Sequence, residues 1–236
     1  MAEAEEVGQE RFLTALKYPW LTPLYDPVIR WFFRERTIKG RLVDLAAIRP
    51  GERVLDVGCG TGTLAILLKK AQPRANVVGV DGDPAVLRMA RRKALEAGAE
   101  VAWDHGMVQA LPYWDVSFDV VVSSLVLHHL SHDDKTRALR EAHRILRPGG
   151  SFHLVEFTRP SGALMKSLAK VSQLLEETED GVKGRLLGML RNAGFQDSQE
   201  VETFRTPLGT VALFHARKRR DPSQRRPSTH FHAPTP

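Results

Sequence analysis

The sequence predicts an α/β fold: a doubly wound, mostly parallel sheet with helices on both faces. Three observations predict it. Short, near-continuously apolar runs such as RVLDV (53–57) and FDVVVS (118–123) alternate with longer segments of helical period. The helical segments close on breakers: Gly98, Arg147-Pro148-Gly149-Gly150 and Gly194. A glycine-rich turn, Asp56-Val57-Gly58-Cys59-Gly60-Thr61-Gly62, joins the first strand to the next helix.

The elements follow in order. A helix is expected over 36–47, ended near Arg49-Pro50-Gly51. Strand 53–57 then leads to helix 63–71, strand 76–80 to helix 84–97, and a short strand covers 100–103. Strand 118–123 is followed by helix 133–146, strand 151–157 and helix 182–193. The last two strands, 196–205 and 209–217, have no helix between them and should form an antiparallel hairpin. Before this alternation lies an aromatic segment that includes Trp20, Tyr25, Trp31 and Phe32 and is broken by Pro19, Pro23 and Pro27. The expected division is a helical cap over 1–40, a main domain over 41–217 and a disordered basic tail over 218–236. Segment 159–181 is read as part of a lid, hinged at Gly162 and Gly181.

Composition narrows the function classes. The 236 residues carry a formal net charge of +6, but six Lys/Arg and one acid lie from Arg217 onward, leaving 28 basic and 27 acidic residues before it. The body is near neutral and the charge sits in a proline-containing tail without apolar period, so no stable nucleic-acid partner is expected. No run of roughly 18 apolar residues suggests a membrane span. The acidic start MAEAEEVGQE lacks a signal-peptide plan, and the single cysteine, Cys59, excludes a disulfide framework. A cytoplasmic protein is expected.

The glycine turn sits where open α/β sheets bind ligands, beyond the carboxyl end of a strand. It differs from a dinucleotide fingerprint, whose third glycine comes one residue later, and lacks the Gly-Lys-Ser/Thr of a phosphate-gripping loop. It carries a carboxylate, Asp56, and no base, which suits a cationic ligand. Asp81 ends the second strand, 19 residues after Gly62, where a carboxylate can accept both hydroxyls of a ribose. Asp83 precedes Pro84 and reads as a helix cap.

In order, VLDVGCGTG, VVGVDGDP, LPYWDVSFDVVVSS, LVLHHL and RILRPGG resemble the class I S-adenosylmethionine-dependent methyltransferases, particularly the small-molecule group that includes the menaquinone and ubiquinone methylases. The match covers about residues 50–157. The resemblance implies a Rossmann-like seven-stranded sheet with an antiparallel last strand, S-adenosylmethionine as cofactor, and a small, lipophilic methyl acceptor. It implies that Asp56, Gly58, Cys59, Gly60 and Gly62 wrap the methionine part and that Asp81, with Gly82 beside it, holds the ribose. The adenine would meet residues 107 and 108. The family usually has Asp-Ala there; this chain has Met107 and Val108, so a backbone N–H at 108 remains and the acid is lost. Asp104 is the nearby acid that a loop could bring in. Ser123 and Tyr25 complete the implied cofactor contacts.

Methyl transfer mainly needs proximity and orientation, with a base where the acceptor loses a proton. Ser123, His128, His129 and Glu156 lie at strand ends. His128 is the candidate catalytic base; the alternative is that His129 packs on the sheet while His128 bridges the loop. His105 ranks lower, and no His/Cys set has metal spacing, His230 and His232 lying in the tail. Trp20, Trp31 and Phe32 either line an apolar acceptor or simply pack the cap. Two further readings stand beside the enzyme: a non-catalytic cofactor-binding module, suggested by Met107, and an RNA or protein methyltransferase, suggested by the tail. The body has Ser123-Ser124-Leu125-Val126 where an Asn/Asp-Pro-Pro-Tyr sequence would mark base amino-group methylation.

Overall fold

A computed structural model describes residues 35–158, 185–206 and 209–220. The readings of Trp20, Tyr25, Trp31 and Phe32, of the lid 159–181 and of the tail beyond Arg220 lie outside the described residues.

Seven strands form one sheet: β1 (Arg53–Val57), β2 (Asn76–Asp81), β3 (Ala102–His105), β4 (Phe118–Ser124), β5 (Leu146–Phe157), β6 (Gln196–Thr206) and β7 (Gly209–Arg217). Their spatial order is β3-β2-β1-β4-β5-β7-β6. The first five pair in parallel, and β7 runs antiparallel between β5 and β6. The order reverses at β1, and there the ends of β1 and β4 open the crevice in which such sheets bind ligands.

The period-2 pattern of each strand builds two cores. Val54, Val120, Val122, Val155 and Leu213 face Ile38 and Leu42 of α1 (Glu35–Ala46) and Leu64 and Leu68 of α2 (Thr63–Ala71). Leu55, Val57, Val121, Phe152, Leu154 and Phe214 face Leu139 and Ile145 of α4 (His132–Ile145) and Leu186 and Leu190 of α5 (Leu186–Asn192). α3 (Pro84–Glu96) packs on β2 and β3. Its N-cap is Asp83, whose carboxylate accepts from Ala85 N at 2.7 Å with Pro84 at the first helical position, as expected. Among the described residues no helix is long and apolar enough to cross a membrane.

Two strand bounds differ from the sequence reading. β3 lies two residues later than expected, at Ala102–His105. The cause is Trp103, whose ring lies against Gly62 and Gly79 and sets the register Gly79↔Trp103. β5 begins at Leu146, not at Ser151: pairing jumps from Phe118↔Leu146 to Val120↔Ser151, so Arg147–Gly150 is a bulge within the strand. α1, at Glu35–Ala46, lies within a residue of the expected helix, and its Ile38 and Leu42 share one core. The first tail residues also dock. Lys218 exchanges backbone hydrogen bonds with Gly149 (2.9 Å) and Gly150 (3.0 Å), and its Nζ donates to His143 O at 2.8 Å.

Candidate cofactor and active site

β1 delivers Asp56 to the crevice and the chain then doubles back. Gly58 and Cys59 N–H both donate to Val80 O, at 2.9 and 3.0 Å; Gly60 N–H donates to Asp81 Oδ2 at 2.8 Å, and Gly62 N–H to Cys59 O at 2.9 Å. A phosphate-gripping turn aims its N–H groups outward. Here four of them are directed into the protein, which agrees with a ligand other than a pyrophosphate. The glycines have two uses. A Cβ on Gly58 would lie 2.5 Å from Val126, and one on Gly62 would lie 2.3 Å from Trp103, so those two let neighbours close on the turn. Gly60, at φ +52°, meets nothing within 4 Å and presents bare backbone to open space. Cys59 points its Sγ toward Gly79, and burial pushes its thiol pKa up, so it brings backbone and no nucleophile.

Two carboxylates flank this turn. Asp56 is 1% exposed. Burial raises its pKa to about 7, opposed by the charge of Lys39 and a hydrogen bond from Ala65 N–H, with Asp81 adding repulsion. Its Oδ2 has no hydrogen-bond partner among the described residues. Asp81 accepts Gly60 N–H on Oδ2 and Asp83 N–H, at 2.9 Å, on Oδ1. Burial raises its pKa, against these backbone donors. The Gly82 N–H is a third backbone donor to this carboxylate. A carboxylate offers about four acceptor positions, so Asp81 retains acceptor capacity for a ligand hydroxyl.

The loop after β3 is latched to the end of β2. Gly106 N–H donates to Asp81 O at 3.1 Å, and His105 Nε2 meets Gly82 O at 3.0 Å. These contacts anchor the loop that carries Met107 and Val108. Met107 O accepts from Ala110 N at 3.0 Å in a tight turn, and the Val108 side chain is buried in the core. Asp104 is engaged with Tyr113: its Oδ2 accepts from Tyr113 Oη at 2.9 Å, and alternation places it on the strand face opposite Trp103 and His105. Gln109 Oε1 is buried without a partner among the described residues, a feature the sequence reading did not single out.

Near the end of β4, Ser123 is 3% exposed and its hydroxyl donates to Val57 O at 3.0 Å, so the side chain ties β4 to β1. The chain then passes through Leu125 at φ +57°, a strained conformation for leucine, held by Leu125 N–H to Val155 O at 2.9 Å. A 3₁₀ turn, Leu127–His129, follows. Glu156, 2% exposed, organises it: Oε2 accepts Leu127 N–H at 2.8 Å, and Oε1 accepts Phe157 N–H and meets His128 Nδ1, both at 2.9 Å. Burial pushes the Glu156 pKa up, but the charge and hydrogen bond of His128 and the Phe157 N–H outweigh it and leave it lowered. An ionised Glu156 can only accept, so His128 donates to it from Nδ1. Phe157 stands edge-on to the His128 ring at 5.0 Å. No group of three or more His, Cys, Asp or Glu among the described residues could hold a metal.

Comparison with known proteins agrees with this geometry. Residues 54–150 match a methyltransferase domain family. Over 184 residues the chain is 33% identical to an uncharacterized methyltransferase of Synechocystis, covering 76% of this chain and 84% of that protein. The chain belongs to the class I S-adenosylmethionine-dependent methyltransferases. A demethylmenaquinone methyltransferase of Thermus thermophilus is 39% identical over 142 residues, 59% of this methyltransferase and 64% of that protein, so the match spans just under two thirds of that relative. A ubiquinone/menaquinone biosynthesis C-methyltransferase of Teredinibacter turnerae is 28% identical over 240 residues, with 92% of each chain covered. The solved structure of a protein from Bacillus halodurans shares the fold, at a TM-score of 0.63 and 22% identity over 77% of this chain and 98% of that one. The residues present fit the cofactor of this family. A bare backbone at Gly60 allows close approach, the unpartnered Asp56 Oδ2 awaits a donor, and Asp81 has acceptor capacity for hydroxyls.

Proposed function

We propose that this methyltransferase transfers a methyl group to a small, lipophilic acceptor bearing an ionisable hydroxyl, of the hydroquinone kind, in the cytoplasm and without a stable nucleic-acid partner. The observation that carries the reading is His128 held on Nδ1 by the buried Glu156, at the end of β4 beside the turn. Bound at the turn, S-adenosylmethionine supplies a methyl on cationic sulfur, already activated for displacement. Asp56 and the backbone of Gly58–Gly62 hold the methionine part, Asp81 accepts the ribose hydroxyls, and Met107 and Val108 lie against the adenine. His128 Nε2 takes the hydroxyl proton, and Glu156 stabilises the imidazolium that forms. Leu125, Val126 and Phe157, all partly buried apolar groups around the same turn, suit a lipophilic acceptor. The names of the Thermus and Teredinibacter relatives support a quinone precursor.

The test is transfer of labelled methyl from S-adenosylmethionine to demethylmenaquinol, read as label in the organic phase. Label there supports the reading. Cofactor binding without transfer to this or any lipophilic phenol sinks it and favours the non-catalytic module, a reading to which the loss of the acid at Met107 lends weight.

A further inference from the structure

The buried Asp56 belongs to a charged group that extends beyond the turn. On α1, Lys39 Nζ pairs with Glu35 Oε1 one helical turn away. Glu35 is 5% exposed and the Lys39 side chain 15%. The next core positions of α1, Ile38 and Leu42, anchor the helix on the sheet face that also carries Asp56. Lys39 is the charge that acts most strongly on Asp56. One ammonium thus pairs with a buried carboxylate on the helix that covers the sheet face carrying a second. As a stabilising device this is poor, because burying an ion pair costs solvation that its attraction barely repays. It also leaves Asp56 Oδ2 buried and unpartnered, a condition that folded proteins avoid.

A zwitterion resolves both. An α-amino group can donate to Asp56 Oδ2, and an α-carboxylate can accept from Lys39. The cluster carries one positive and two negative groups, and the matching ligand carries an ammonium, a carboxylate and a sulfonium, so the charges cancel. We propose that Glu35 and Lys39 of α1 complete the cofactor site: Lys39 takes the carboxylate of the amino-acid end, Asp56 Oδ2 its ammonium, and Glu35 holds Lys39 in place. This rests on the reading that the turn takes S-adenosylmethionine. It assigns residues of the N-terminal helix, outside the glycine turn, to ligand selection.

The experiment compares two ligands by calorimetry: S-adenosylhomocysteine, with the amino-acid end, and 5′-methylthioadenosine, without it. Lys39→Met should weaken S-adenosylhomocysteine on the order of 10-fold or more, the scale of a hydrogen bond to a charged group. It should leave methylthioadenosine within about 2-fold, since no group that meets it has changed. Lys39→Arg should retain most of the lost affinity. Equal weakening of both ligands, or of neither, overturns the proposal. Lys39→Gln applies the same criteria if thermal melting shows Lys39→Met unfolded. Wild-type protein that binds methylthioadenosine but gains nothing from the amino-acid end also overturns it. Wild-type protein that binds neither ligand removes the cofactor reading and this proposal together.

Discussion

At the edge of the sheet where the parallel strands begin, charged groups meet one another. Arg144 joins Glu141 and Asp115 at 2.7 and 2.8 Å and also donates to the carbonyls of Tyr113 and Leu111; Arg147 joins Asp119 at 2.7 Å, and Lys218 donates to two carbonyls at the end of α4. At the opposite edge, where those strands end, Asp56 and Glu156 are buried and Asp81 is half-buried, with few cations; an oxygen of Asp56 has no partner among the described residues, and Leu125 is strained. The first edge is arranged for the folded chain alone. The second is arranged for something the chain alone does not contain. Buried carboxylates, an open glycine and a strained residue each cost stability, and they gather around one turn.

The sharpest way to break this contrast is at His128. His128→Gln should lower methyl transfer about 10²–10⁴-fold, the usual contribution of a general base. S-adenosylhomocysteine affinity should stay within about 2-fold, because the ring meets acceptor and not cofactor. A variant with unimpaired turnover would reduce His128 to a bridge within its loop.

Next in size is a pH effect at Asp56. Its folded pKa is raised from 3.8 to about 7. The stability it contributes is therefore complete below the unfolded value and is lost progressively as pH rises through about 7. Asp56→Asn removes that titration. Denaturation of both proteins from pH 4 to 8 should show the variant gaining on the order of 2–4 kcal/mol relative to wild type across the window. Parallel profiles would mean that Asp56 does not titrate there.

Two aspartates two residues apart divide site from scaffold. Asp81→Ala should weaken cofactor binding by about 1.5–3 kcal/mol, as for hydrogen bonds to a charged group. Asp83→Ala should leave binding alone and cost about 1 kcal/mol of stability through the lost cap. Reversed phenotypes would exchange their roles.

The smallest effect belongs to the paired edge. Truncation after Arg220 should leave stability unchanged, whereas truncation after Arg217 removes the hydrogen bonds of Lys218 and should cost about 1–2 kcal/mol. Equal melting of the two truncated proteins would show that the docked residues 218–220 contribute nothing.

Much of this was legible in residues 53–157. Strands with continuous apolar runs, the Asp-Pro cap at 83–84 and the glycine turn are local signals, each set by the backbone it forms, and apart from the start of β5 they fell within a residue or two. The turn's purpose was half legible. Its lack of bases argued against phosphate, but only the structure shows that Gly58 and Gly62 serve Val126 and Trp103 while Gly60 faces open space. What the sequence could not show were partnerships across distant segments. Ser123 bonds back to β1, Asp104 goes to Tyr113, and Glu156 reaches 28 residues back to His128. Lys39 had no signal at all. An (i, i+4) Glu–Lys pair on a helix usually marks a solvated face, and its neighbour Asp56 lies on a strand that only the fold brings close.

The central claim is that the glycine turn and Asp81 form a site for S-adenosylmethionine and not for a dinucleotide. Calorimetry of wild-type protein with S-adenosylhomocysteine and with NAD tests it most directly. The account predicts saturable 1:1 binding of S-adenosylhomocysteine, weakened by Asp81→Ala, and no heat from NAD. Binding of NAD with none of S-adenosylhomocysteine would contradict it.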